Sequence, residues 1–410
     1  MAGQVAGEGL LLLEGEEHKQ AKKAFAHSFQ PQRVNNVYPM FYKMASKMQD
    51  WVGQQAKDDP ESRASVLKPV SAATLDAVGQ WAYSKDFKAL SNPRERFPRS
   101  YVEMLKMTPR GQFFLSLVAL IDPWVMKLPV RAAKTITGVV QFVIKTSAEI
   151  VDEREKLFEK NKNGEPDSEI PDDMLSSIMK TNHFSHVELI NETVHFLAAS
   201  TETSAGSICW AVHLLSRHMH VQNRLREEIR TDLPSPKMVH DGLVDEDRVS
   251  YKVFDNMPYL HAVAKEVFRF HSINSLLWRE CVEPATVAGE DITIGTQVVF
   301  SPWAAGRDPK HWGPDARQLR PERWLESPSG GADDSYAFLT FGASARRCIG
   351  EQYAYAQFKT FLAALVGKFE FKTMDVTGTD VGTEIGSNYP LTLFKIMDGW
   401  KSYVREIDGW

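Results

Sequence analysis

"FGASARRCIG", residues 341–350, sets a single cysteine between Gly342 and Gly350, with Arg346 and Arg347 directly ahead of it. Over residues 351–367, Phe358, Phe361, Leu362 and Leu365 recur at intervals of three and four, which predicts an amphipathic helix. Cys348 therefore falls at the entrance of a helix, where free backbone amides and the positive end of the helix dipole favour an anion. The two arginines add positive charge, and the glycines let the backbone approach the sulfur and permit positive φ. A thiolate so placed is a nucleophile or a metal ligand; the competing reading is a free cysteine that only fills space in the core.

The rest of the composition narrows the choice. Cys209, Cys281 and Cys348 are the only cysteines, too few and too scattered for a disulfide framework, and they point to a reducing compartment. No C-x-x-C or H-E-x-x-H spacing occurs, which argues against zinc. A formal net charge of -5 over 410 residues argues against a nucleic-acid binder. The leucines at 10–13 are far short of the roughly 20 apolar residues that a membrane span requires. Residues 113–130 are apolar but broken by Asp122, Pro123 and Lys127, which suits a buried helix pair or a membrane-touching loop. Met1 opens no signal-peptide pattern.

Upstream, helical spacing dominates: residues 16–29, 35–55, 61–90, 97–105 and 132–160 all read as helices. The polar stretch "EKNKNGEPDSE" (159–169) is a connector, because helical patterning resumes at Asp173. "SHVE" (185–188) is a capping box that opens a mostly apolar run without proline to about His218, long enough to cross the centre of a fold. Residues 221–230 form a shorter helix, and Pro258 suits the first position of another over 259–271. After Asn274 the pattern turns to strand. "ATVAGEDITIGTQVVF" (285–300) alternates and turns at Gly289, Glu290 and Asp291, and residues 391–397 with 402–405 suggest a closing hairpin. The reading is one domain over 1–410, mainly α with a minor β component.

Two further motifs change the status of Cys348. "EVFR" places Glu266 and Arg269 on one helix face at i and i+3, and "PERW" supplies Pro321, Glu322, Arg323 and Trp324 ahead of the cysteine loop. Each alone is an ordinary charged pair. In this order, ahead of an F-x-x-x-x-R-x-C-x-G string, the chain resembles the haem-thiolate monooxygenases of the cytochrome P450 superfamily, closest to the microsomal type of filamentous fungi. Phe341, Arg346, Cys348 and Gly350 lie on the family's cysteine-loop pattern. Glu266, Arg269 and Arg323 match its E-R-R triad, and "GRDPKHWGPDARQLRPERW" (306–324) is similar to the stretch leading into its third member.

The resemblance implies haem b, iron protoporphyrin IX, with Cys348 as the axial iron ligand whose thiolate favours O–O cleavage. It implies haem propionate contacts from Arg346, from Arg279 in "LLWRE" (276–280), and from His18 and Lys22 in "EEHKQAKK" (16–23); a plain surface helix face is the alternative for the last two. "FLAASTETS" (196–204) is similar to the family's oxygen-binding stretch and implies proton delivery by Glu202 and Thr203, since the oxygen chemistry consumes two protons. The bland alternative is that Thr203 bonds back to a helix carbonyl and Glu202 forms a buried ion pair. Ala198, Ala199, Asn274, Ser275 and Leu276 are expected to line a mostly apolar substrate pocket, with Asn274 and Ser275 as polar anchors or as a helix cap.

By the same resemblance the activity is hydroxylation or epoxidation of a lipophilic small molecule, with O2 and electrons from NADPH-cytochrome P450 reductase. The setting is secondary metabolism at the endoplasmic reticulum membrane. Lys19, Lys23 and Lys359 are candidate docking cations for the reductase. Two alternatives stand beside it: a haem-thiolate isomerase or dehydratase, and a non-catalytic haem-binding remnant. The chain departs from the family in three places. Ser344 stands where glycine is usual four residues before the cysteine, and Ser200 where a small glycine faces oxygen. The chain also starts just before the His18 helix, so the expectation is a P450 fold lacking its N-terminal anchor, first helices and part of the first β-sheet, which leaves strand edges unpaired.

Overall fold

The capping box forms as the sequence predicts: the Ser185 hydroxyl accepts from the Glu188 N–H at 3.4 Å, and the Glu188 carboxylate accepts from the Ser185 N–H at 2.7 Å. It starts a 32-residue helix, His186–Arg217, about which the others pack. The computed structural model describes residues 8–99, 131–166, 168–373, 386–389, 393–396 and 400–410. The expected helix over 97–105 falls outside them from residue 100 on, and the apolar run 113–130 lies wholly outside.

The main helices are α1 (Gly15–Ala26), α2 (Tyr38–Asp58), α3 (Leu67–Tyr83), α4 (Arg131–Lys162), α5 (His186–Arg217), α6 (Met219–Asp232), α7 (Pro258–Phe270) and α8 (Glu351–Lys368). The strands are short: β1 (Arg63–Ala64), β2 (Leu277–Glu280), β3 (Ala285–Val287), β4 (Glu290–Ile292), β5 (Gln297–Phe300), β6 (Phe369–Lys372), β7 (Gly386–Tyr389), β8 (Leu393–Ile396) and β9 (Ser402–Glu406). The fold is mainly helical with minor sheet. Among the described residues no helix is long and apolar enough to cross a membrane.

Two strand expectations need correction. The turn between β3 and β4 falls at Ala288 and Gly289, since Val287 pairs with Glu290, and β5 pairs with β2 instead of continuing that hairpin. The closing hairpin does not form: β8 pairs with β7, while β9 is the middle strand between β1 and β6. Alternation identified the strands but carries no information about partners, which non-local packing chooses.

α5 passes through two hydrophobic clusters. Its first half, to Leu197, joins Phe25 of α1, Leu75 of α3 and Val151 of α4. Its second half, from Ala205, joins Phe41 of α2, Val267 of α7 and Phe361 of α8. Between the halves the helix opens: Ala198, Ser200, Glu202 and Thr203 are half-buried and Ala199 is exposed. A helix apolar on both sides of such a gap has its polar, accessible residues there for a reason other than the core.

α8 also differs from its expectation. Every residue from 356 to 367 is buried, so the helix is covered all round instead of on one face. Its far end is fixed from α6: Arg226 donates to the carbonyls of Val366 and Phe369, both at 2.9 Å, and Arg230 to that of Gly367 at 2.8 Å. Guanidinium groups at a helix C-terminus satisfy its last carbonyls and complement the dipole. With that end anchored, the first turn, which carries the cysteine loop, has a defined position.

Candidate functional site

The cysteine loop is a closed turn. The Cys348 N–H donates to the Phe341 carbonyl at 2.8 Å, and the Arg347 N–H to the Ser344 carbonyl at 3.1 Å. Gly342 lies at φ 70 and Ser344 at φ 53. Gly342 adopts this left-handed region freely, whereas a side chain at Ser344 costs about 1–2 kcal/mol. Serine at the family's glycine position thus keeps the glycine-like backbone and carries the strain. The loop is tied to α7, because the Thr340 hydroxyl donates to the Phe268 carbonyl at 2.6 Å and the Phe268 ring meets Phe341 edge-on at 5.2 Å.

Cys348 is exposed, while Cys209 and Cys281 are buried. Protein nevertheless surrounds the sulfur closely enough to desolvate it, as at the floor of a concavity. That desolvation raises the thiol pKa above its ordinary value; the Gly350 N–H, Lys22 and Arg347 pull the other way without prevailing. The polypeptide alone therefore holds a neutral thiol, not the anion expected from the helix entrance and its arginines. Arg347 is spent on Glu351, with two bonds at 2.7 and 2.9 Å, and Arg346 on Glu14 of the α1 cap.

The triad is fully formed. Glu266 and Arg269 are paired through two bonds of 2.8 Å, and Arg323 reaches Glu266 at 3.2 Å. All three are buried, at 0%, 1% and 2% exposure, and both Glu266 oxygens and every Arg269 N–H are used. The Trp324 indole donates to Glu266 at 2.9 Å and the Arg320 N–H at 2.8 Å. Arg269 continues to the carbonyls of Gly306, Ala316 and Gln318. A Cβ at Gly306 would run into the Arg269 carbonyl, so glycine is required there. Trp324 was quoted in the motif, yet nothing in its spacing announced an indole bonded to the glutamate.

His18 and Lys22 come to the cysteine loop. His18 is buried, and its pKa is lowered by desolvation, then by Arg346 and Lys22. Lys22 donates to two loop carbonyls, Ala345 at 2.6 Å and Arg347 at 2.8 Å. Arg279 is not brought to this group by any described contact: it is exposed on β2 and donates to the Trp278 carbonyl at 2.7 Å. Of the expected docking cations, Lys19 and Lys23 are exposed on α1. Lys359 is buried at 3% exposure against the Tyr38 ring, its pKa pushed down to about 8, and is no docking surface.

Phe29 joins the loop to α5 two residues before its open part. Its ring lies 3.7 Å from where a Gly350 Cβ would stand and 5.9 Å from the Phe196 ring. In that open stretch the Thr203 hydroxyl donates to the Ala199 carbonyl at 2.7 Å, and Ser200 and Thr201 likewise bond back to Phe196 and Leu197. This is the bond-back arrangement set against proton delivery above. Across the site, Asn274 and Leu276 are half-buried and Ser275 is buried. Ser275 accepts through its carbonyl from Ser301 at 3.0 Å. The end of α7 is closed by His271, whose N–H donates to the Val267 carbonyl at 2.8 Å, so Asn274 and Ser275 do not supply that cap.

A helical fold with an accessible cysteine at a helix entrance, a buried Glu-Arg-Arg frame behind it and an open helix segment nearby defines a haem-thiolate class of protein. The family model for cytochrome P450 matches residues 2–385. The chain is 32% identical to the cytochrome P450 monooxygenase sphH of Aspergillus fumigatus, over 99% of this chain and 74% of that one. It is 31% identical to FUM15 of Gibberella moniliformis, over 91% and 69%, and 28% identical to FSL4 of Gibberella zeae, over 99% and 74%; both are named cytochrome P450 monooxygenases. The chain belongs to the cytochrome P450 family of haem-dependent monooxygenases.

The residues fit that cofactor. An exposed, soft sulfur donor suits iron, and beside it Arg346 offers a positive charge and His18 a neutral ring N–H to carboxylates. The neutral thiol is no obstacle, because coordination itself removes the proton.

Proposed function

We propose that the chain binds haem b through Cys348 and hydroxylates or epoxidises a lipophilic small molecule in secondary metabolism. Dioxygen is the oxidant, and NADPH-cytochrome P450 reductase supplies the electrons at the endoplasmic reticulum membrane. The observation that carries the reading is the accessible Cys348 thiol, linked through Phe29 to Phe196, two residues before the opened segment of α5. When bound, the haem supplies a thiolate-ligated iron that activates dioxygen.

The chain's own residues divide the remaining work. Arg346, His18 and Arg279 would hold the haem carboxylates; for Arg346 this would mean exchanging its present partner Glu14, and for Arg279 leaving the Trp278 carbonyl. Ala198, Ala199 and Leu276 offer apolar surface to the substrate, with Asn274 and Ser275 as its polar margin. Glu202 feeds protons to Thr203, whose Oγ1 must leave the Ala199 carbonyl to pass one on. Lys19 and Lys23, exposed on α1, meet the acidic reductase.

Reduced protein with carbon monoxide should show the red-shifted Soret band of a thiolate ligand, and a histidine-like band would count against Cys348. Thr203→Ala should divert electrons from NADPH into hydrogen peroxide while haem content is kept; unchanged coupling removes Thr203 from proton delivery. The Thr203 bond to Ala199 favours a second reading, a haem-thiolate isomerase or dehydratase, which has no use for protons at that position. NADPH consumption driven by substrate separates the two.

A further inference from the structure

Lys22 points away from the role that its place on α1 suggests. Its ammonium group donates to the carbonyls of Ala345 and Arg347, at 2.6 and 2.8 Å. These carbonyls lie three residues and one residue before Cys348, on the loop that presents the sulfur. The Arg347 N–H closes on Ser344 and its side chain on Glu351, while the Ala345 and Arg347 carbonyls are held from α1. Ser344, next to Ala345, is in the left-handed region, and Ala345 itself is exposed. A strained, exposed turn should relax unless something outside it holds the backbone.

We propose that Lys22 is a positioning residue for the cysteine loop: its ammonium group clamps the carbonyls of Ala345 and Arg347, fixing the backbone orientation that presents Cys348 to iron. The chemistry favours lysine. Its ammonium is a point charge with three rotatable donors, so it can take two carbonyls that share no plane, whereas a planar guanidinium matches a carboxylate better. With both carbonyls drawn to α1, they are kept from turning toward the sulfur, where their negative ends would oppose a thiolate. Glu14, at the start of the same helix, pairs with Arg346 between the two clamped residues. α1 thus holds the loop at three consecutive residues, 345, 346 and 347.

The proposal rests on the haem-thiolate reading, and the test separates the failure of each. Holoprotein of wild type, Lys22→Met and Lys22→Arg is reconstituted with haem and with haem dimethyl ester, whose propionates can no longer pair with a cation. Amide hydrogen exchange is followed at residues 345–349, together with the Soret position of the reduced carbon monoxide complex. One charged hydrogen bond is worth roughly a factor of ten in an opening equilibrium. Lys22→Met should therefore speed exchange at these amides about tenfold or more, and shift part of the Soret absorbance away from the thiolate position, equally with haem and with its ester. Lys22→Arg should restore part of both. Unchanged loop exchange in Lys22→Met, or a Soret defect seen with haem and absent with the ester, overturns the clamp and leaves Lys22 as a propionate contact. A wild type without the thiolate band sinks the haem-thiolate reading, and the exchange measurement still decides the clamp. If Lys22→Met does not fold, Lys22→Gln is read in the same way.

Discussion

The Glu266 frame and the open segment of α5 show two ways of placing polar groups inside one protein. Around Glu266 the three charges of the triad are buried and both carboxylate oxygens are matched, down to the Trp324 indole and the Arg320 N–H. Along residues 198–203 Ser200, Glu202 and Thr203 are half-buried and only Thr201 is fully covered, and the hydroxyls of Ser200, Thr201 and Thr203 bond back to the helix that carries them. The first arrangement has one stable geometry, because removing any member strands a buried charge. The second can change partners at small expense, since a back-bond of this kind is weak and water is at hand. Rigidity sits behind the cysteine, and adaptability sits along the opened stretch of α5.

The contrast can be broken most severely at Glu266. Glu266→Ala leaves Arg269 without an ionic partner in the core and Arg323 with Asp315 alone, and should destabilise the fold by about 3–5 kcal/mol, read from the denaturant midpoint. A loss under about 1 kcal/mol would mean that the frame is not rigid in the sense argued.

Glu192, three turns before Thr203 on α5, tests the boundary between the two regimes. It is buried, accepts from the Leu10 N–H at 2.8 Å, and its other oxygen has no hydrogen-bond partner. Burial pushes its pKa up to about 7 from 4.5. A carboxyl raised in the folded state contributes its full stability below the unfolded value and loses it as pH climbs through the folded one. Stability should thus fall between about pH 5 and 8, by about 3 kcal/mol at most. Glu192→Gln, which keeps an acceptor for Leu10, should match wild type at pH 5 and exceed it at pH 8; parallel pH profiles of the two would refute this.

Ser344→Gly should stabilise the protein by about 1 kcal/mol, visible as a raised melting temperature, by releasing the left-handed strain in the loop. Val299→Thr, on the open β2–β5 pair where Val299 is 46% exposed, should change stability by less than about 0.5 kcal/mol. A larger loss would show that this hairpin face is covered in solution.

Much of this was legible in advance, for reasons that differ by region. The boundaries of α4, α5, α7 and α8 lie within a few residues of those read from spacing, the capping box and Pro258, because helix periodicity and caps are local. The triad was legible as a motif, since glutamate and arginine three positions apart on a helix and a second arginine before the loop have few other uses in that order. Its completion by Trp324 and the Gly306 carbonyl was not, for those contacts join segments that are remote in sequence. Lys359 shows the same limit: a lysine in a helix reads as exposed until its neighbours are known. So does the thiol of Cys348, whose ionisation followed from how much protein crowds it and not from the arginines beside it.

What the sequence by itself determined is the set of helices, the cysteine at a helix entrance and the paired charges behind it, because spacing and capping act within a few residues along the chain. Only the tertiary structure decided which carbonyls Lys22 holds, that Arg346 meets Glu14, and that α5 opens between two cores. Each of those depends on surfaces brought together from distant parts of the chain, where burial and partner geometry override what any residue would do alone.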